Sequence, residues 1–148
     1  MVFAGMPGLH RLLYVSRQAL MAGDADLEIG RIVHQSIHYN RQAAVTGLLL
    51  SHQDWFVQVL EGPGSAVMET FARISGDPRH KAIWRLTYEK ASGRLFADWD
   101  MCARSLNEAD DVILAEIGPV FDPTKMQPAR LLALLVEIAN QQRAALAA

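Results

Sequence analysis

The first residue in this chain that could do chemistry is an amide set in an apolar strand. In Phe56-Val57-Gln58-Val59-Leu60, side chains alternate between two faces: Phe56, Gln58 and Leu60 share one, and Trp55, Val57 and Val59 the other. Both faces read as buried, so Gln58 needs a partner, because an unpaired buried amide costs about 1–3 kcal/mol. An amide carries a donor and an acceptor on one group, so rotating or tautomerising it reverses what its neighbours meet. Tyr14 lies between a leucine and a valine, and a buried phenol finds one hydrogen-bond partner. Asn40 closes a helical pattern, where asparagine serves as a left-handed cap, and Arg73 sits on a second helical pattern, an ordinary place for a solvated charge. Taken singly, each has a plain structural use.

Other groups carry less. His34 and His38 lie one helical turn apart and could share a metal, but no third ligand stands at a telling spacing, so no metal is expected. Cys102 has no Cys-x-x-Cys partner. The turn Glu61-Gly-Pro-Gly-Ser65 is neither a Walker loop nor a dinucleotide fingerprint. No Ser/His/Asp group or carboxylate pair supports nucleophilic or acid–base catalysis.

The elements that must position these residues follow from pattern. His10–Ser16 reads as a strand. Asp24 caps a helix carrying Leu27, Ile32, Val33, Ser36 and Ile37 at helical spacing and ending near Asn40. Val45–Ser51 and Trp55–Glu61 form a hairpin across His52-Gln53-Asp54. Ser65 caps a second helix with Val67, Met68, Phe71 and Ile74 on one face, stopped by Gly76-Asp77-Pro78. Ala82–Glu89 is a fourth strand and Trp99–Ala103 a fifth. The order β-α-β-β-α-β plus one strand predicts a ferredoxin-like α+β fold with both helices on one sheet face. Helices over Glu108–Ile117 and Ala129 to about Leu146, the latter striped with Leu131, Leu132, Leu134, Leu135 and Ile138, cover the opposite face. Two units are expected: 1–105, bearing the candidate site, and a helical extension, 106–148.

Composition bounds the rest. The chain has 148 residues, 51% of them hydrophobic, enough for one well-buried domain. A net charge of −2 without runs of like charge argues against nucleic acid or an anionic membrane as main partner. A single cysteine, no signal-peptide pattern and no apolar run near the roughly 18–20 residues of a membrane span point to a cytoplasmic protein.

Five segments together are specific. LLYVS around Tyr14, Asn40 followed by VTGLLL (45–50), FVQVLEG (56–62), FARISGDPRH (71–80) and RLFADWDM (94–101) resemble, in order and spacing over about residues 9–105, the BLUF family of blue-light sensors using FAD. The resemblance implies a flavin held between the two helices over the sheet, FAD by preference, with FMN or riboflavin sharing the same ring. It makes Tyr14 the donor of an electron and a proton to the excited flavin, and Gln58 the bridge from that phenol to the flavin edge. Asn40 bonds the ring's carbonyl region, Ile32 and Ile74 sandwich the ring, and Arg73 meets the ribityl or phosphate part, with Arg79 and His80 assisting. Trp99 and Met101 match a pair linked to signal output. Tyr39 departs from the small polar residue or histidine often found there, and is a second candidate electron donor.

The implied function is a blue-light photoreceptor, without its own effector, that passes a reversible red-shifted state to a partner protein and forms a homo-oligomer by analogy with other short members. The rival readings are a flavin oxidoreductase, an acylphosphatase-like hydrolase, and a flavin-free ferredoxin-like interaction or ligand-binding module.

Overall fold

The computed structural model describes residues 8–19, 25–78, 80–99 and 102–147. Its elements are β1 (Leu9–Gln18), α1 (Ala25–Ala43), β2 (Thr46–His52), β3 (Trp55–Pro63), α2 (Gly64–Ser75), β4 (His80–Lys90), β5 (Cys102–Ser105), α3 (Asp111–Ile117) and α4 (Pro128–Ala147), with a 3-10 turn at Pro123–Lys125. The strands form one sheet in the order β4-β1-β3-β2-β5. The first four run antiparallel and β5 lies parallel to β2. This is the ferredoxin-like arrangement expected from the element order, extended by one edge strand.

The period-2 pattern splits the core into two layers. Leu12, Tyr14, Leu49, Phe56 and Leu60 face α1 and α2, where Ile32 and Val67 close the layer. Leu13, Val15, Leu48, Leu50, Val57 and Val59 point the other way and pack under Ile113, Leu131, Leu135 and Ile138 of α3 and α4. A β2–β3 turn with Gln53 and Asp54 both at positive φ (49° and 67°) fixes the hairpin register, as two-residue turns of the primed type do. At Gly47 a Cβ would lie 2.2 Å from the Val59 carbonyl oxygen, so only glycine lets β2 come this close to β3.

Several boundaries differ from expectation for visible reasons. α1 runs past Asn40 to Ala43 and is closed instead by Ala44 (φ 59°), with the Val45 amide bonding the Asn40 carbonyl. α2 starts at Gly64 behind Pro63, with no side-chain cap from Ser65. α3 starts at Asp111 rather than Glu108, because the Asp110 carboxylate binds the Asn107 amide and Arg104 and holds the preceding residues in a turn. β5 is displaced from 99–103 to Cys102–Ser105: the Trp99 carbonyl accepts from the Gly47 amide before the strand begins, so Trp99 belongs to the connecting loop. The expected cap Asp24 lies outside the described residues.

Candidate functional site

Tyr14 and Gln58 stand directly opposite each other on β1 and β3. Both face α1 and α2, as the alternation requires, and both are buried. The phenol donates its hydrogen to Gln58 Oε1. Burial, with a smaller contribution from the negative charge of Asp77, raises the phenol's pKa far above that of free tyrosine. Tyr14 is therefore a neutral donor at any physiological pH, aimed at an amide that can turn. Phe71 of α2 packs against the Tyr14 ring with centroids 5.4 Å apart.

These two side chains form the floor of a cavity of about 540 Å³ between the sheet and the two helices. That size lies within the range of small-molecule and cofactor sites. α1 contributes Ile32 and the buried Asn40, and α2 contributes Ile74 and Arg73. Toward solvent the guanidinium of Arg73 lies 4.2 Å over the ring of Tyr39, which is 45% exposed. Asp77 and Pro78 complete that side.

The donor set fits a flat heterocycle with polar atoms along one edge. Ile32 and Ile74 offer apolar walls, Gln58 and Asn40 offer amides at the buried end, and Arg73 offers a positive charge where an anionic tail would leave. Among the described residues lining the cavity, no side chain supplies an activated nucleophile or a paired acid and base.

Seven residues singled out in the sequence therefore meet at one cavity: Tyr14, Ile32, Tyr39, Asn40, Gln58, Arg73 and Ile74. Trp99 does not. It packs into the layer on the other side of the sheet, against α4, with the Arg143 guanidinium 4.9 Å over its ring. Arg79 and Met101 lie outside the described residues, as does the side chain of His80. Ser36, placed by helical spacing on the face of Ile32, also lines the cavity, as do Gln35, Thr70 and Asp77, which were not singled out as site residues. Helical spacing could have found them: 32, 35/36 and 39/40 on α1, and 70, 73/74 and 77 at α2, each repeat one face. Their polarity had read as exposure.

A family model described as "BLUF: Sensors of blue-light using FAD" matches residues 9–102. Among curated relatives, the chain is 32% identical over 97 residues to the photoactivated adenylate cyclase subunit alpha of Euglena gracilis, covering 66% of this chain and 10% of that one. It is 40% identical over 85 residues to the blue light- and temperature-regulated antirepressor BluF of Escherichia coli, covering 56% and 20%. The chain thus spans a fifth or less of these relatives. Among solved structures it resembles the dark state of BlrB, a BLUF protein, with TM-score 0.76, 34% identity, and coverage of 92% of this chain and 98% of that one. It also resembles Klebsiella pneumoniae BlrP1 with FMN and cyclic diGMP, with TM-score 0.65, 30% identity and coverage of 87% and 34%.

Proposed function

The chain belongs to the BLUF family of blue-light sensors using FAD, and from that premise we propose that it is a photoreceptor in which Tyr14 and Gln58 carry the photochemical step. The observation that carries this reading is the buried phenol donating to an amide oxygen on the cavity floor. When bound, a flavin supplies blue-light absorption and, once excited, a one-electron oxidant. A phenol that has lost an electron is a strong acid, and the Tyr14 proton has a short path to Gln58 Oε1. A proton there turns the acceptor into a donor. When the electron returns to Tyr14, the phenol regains a proton from the amide group, and Gln58, left rotated or tautomerised, would present the opposite polarity toward the cofactor edge. Asn40, Ile32 and Ile74 hold and orient the ring, and the closed sheet layer beneath excludes water. A changed hydrogen bond to the ring shifts its absorption to the red, and darkness restores the first arrangement.

Arg73 is the phosphate contact in this reading, with Arg79 and His80 assisting, which favours FAD or FMN over riboflavin. Residues 1–105 form the sensory unit and 106–148 its helical extension. The protein acts in the cytoplasm as a homo-oligomer and has no catalytic activity of its own; among the described residues no helix is long and apolar enough to cross a membrane. Its output passes through the segment of Trp99 and Met101 to the C-terminal helices and from there to a partner protein. Driving a partner from mostly one state to mostly the other needs about 5.5 kcal/mol of differential affinity, which favours a broad protein interface over a small ligand.

Absorption spectra before and just after blue light test the core of this. A reversible red shift of an oxidised flavin spectrum, abolished by Tyr14→Phe and by Gln58→Leu, is the expected result. A spectrum that only bleaches, or a protein that takes up no flavin, would refute it.

A further inference from the structure

The loop 94–99 is fastened on both sides. Toward the cofactor layer, Arg94 bonds the Ala44 carbonyl at 2.7 Å, at the end of the helix that carries Asn40, and the Thr46 hydroxyl at 2.8 Å. The Glu61 carboxylate, at the end of the strand that carries Gln58, accepts from the Leu95 and Phe96 amides at 2.8–3.0 Å. The Gly47 amide bonds the Trp99 carbonyl. Toward the output layer, one side chain of α4 makes the connection. Arg143 donates from Nε to Asp98 and from Nη2 to the Leu95 carbonyl at 3.0 Å, while its plane covers the Trp99 ring at 4.9 Å. Its remaining nitrogen is held by Asn140, one turn earlier on α4, at 2.7 Å.

Resting on the photoreceptor reading, we infer that Arg143 is the positioning residue that couples the 94–99 loop to α4, so that the light-driven change reaches the C-terminal helix through its guanidinium. Only arginine offers this combination: a planar fork that bonds two acceptors in fixed directions and a flat face that stacks on an indole. A shift of the loop by a fraction of an ångström changes three of its contacts together, and Asn140 conveys that change to the helix backbone. The apolar contacts of Trp99 slide by comparison, because dispersion is weakly directional.

The test uses the full flavin-loaded chain, with two readouts on each variant: the blue-light absorption shift, and the light-minus-dark difference in amide hydrogen exchange along α4. In the wild type both changes are expected. In Arg143→Gln the absorption shift and the exchange difference across β2 and β3 should persist while the α4 difference is lost; Arg143→Lys, which keeps the charge without the fork, should not restore it. A merely structural role would lower the melting temperature but leave the light-minus-dark difference intact, and that outcome overturns the inference. So does a wild type that shifts its absorption with no change in α4. A wild type with no absorption shift refutes the photoreceptor reading itself. Should Arg143→Gln fail to fold, Asp98→Asn removes the ion pair at an exposed position: a reduced α4 difference supports the coupling, and an unchanged one overturns it.

Discussion

Replacing Glu61 by alanine should destabilise the protein by about 3–5 kcal/mol, the range found when one partner of a buried ion pair is removed. The Glu61 side chain is fully buried and its partner Arg11, 2.7 Å away, is only 14% exposed. The same carboxylate serves two backbone amides, Leu95 and Phe96, and Phe96 is itself buried. Truncation leaves a poorly hydrated guanidinium and at least one orphaned buried N–H, the latter alone worth about 1–3 kcal/mol. For a domain of this size roughly 3 °C of melting temperature accompanies each kcal/mol, so a fall of about 10–15 °C is expected. Glu61→Gln keeps an acceptor for the amides and loses only the charge, so its loss should be about half as large. Urea unfolding at constant slope, read by circular dichroism, measures both. Because the carboxylate also anchors the loop that meets α4, the variant's surviving folded fraction should show a weakened α4 response to light. A loss under about 1 kcal/mol for the alanine variant would refute the claim that this carboxylate pins the loop to β3.

Arg73→Ala should weaken FMN binding about tenfold, near 1.4 kcal/mol, while leaving riboflavin binding unchanged, and fluorescence titration against both flavins measures the contrast. Gly47→Ala should prevent β2 from closing on β3, since a Cβ meets the Val59 carbonyl at 2.2 Å; loss of the cooperative thermal transition is the readout. The Tyr14 phenol has a folded pKa raised above its unfolded value near 10, so its stabilising contribution is complete below pH 10 and declines as pH rises further; the difference in unfolding free energy between wild type and Tyr14→Phe should narrow from about pH 10 upward. His52 has its pKa lowered by burial, so its contribution is present above the ordinary histidine value near 6.5 and is lost as pH falls below it; His52→Phe, beside Phe121, should flatten the acid side of the stability curve.

The sheet and the floor of the site were legible because one rule governs both. Alternation assigned Gln58 to the face of Phe56 and Leu60, and the β1–β3 pairing then placed it opposite Tyr14. The walls were harder. Gln35 and Thr70 follow the same helical spacing as Ile32, Asn40 and Ile74, but polar residues at those positions read as solvated until a cavity is known to face them. The position of Trp99 was illegible for a different reason. A β-rich run such as Trp99–Ala103 suits a strand by propensity, but where the strand starts depends on the register of β5 against β2, which begins at Leu48–Cys102. Propensity is local and register is not.

That register also bears on how a change at Gln58 could cross the sheet. Leu49 pairs with Gln58 on one side and with Ala103 on the other, so a shift of β3 would have to move β2, whose two edges are both hydrogen-bonded. Sliding it would disturb a whole ladder, and Gly47 leaves no slack against Val59. Around the sheet's end the resistance is smaller. There the 94–99 loop is held by side-chain bonds from Arg94, Glu61 and Arg143, which can change without breaking a strand pair. A close-packed sheet resists deformation and holds its two faces in fixed relation. On these grounds the proposed light-dependent change would leave the cofactor layer at its rim rather than through its middle, and exchange differences should be larger at residues 94–99 than at the central pairs of β1 and β3.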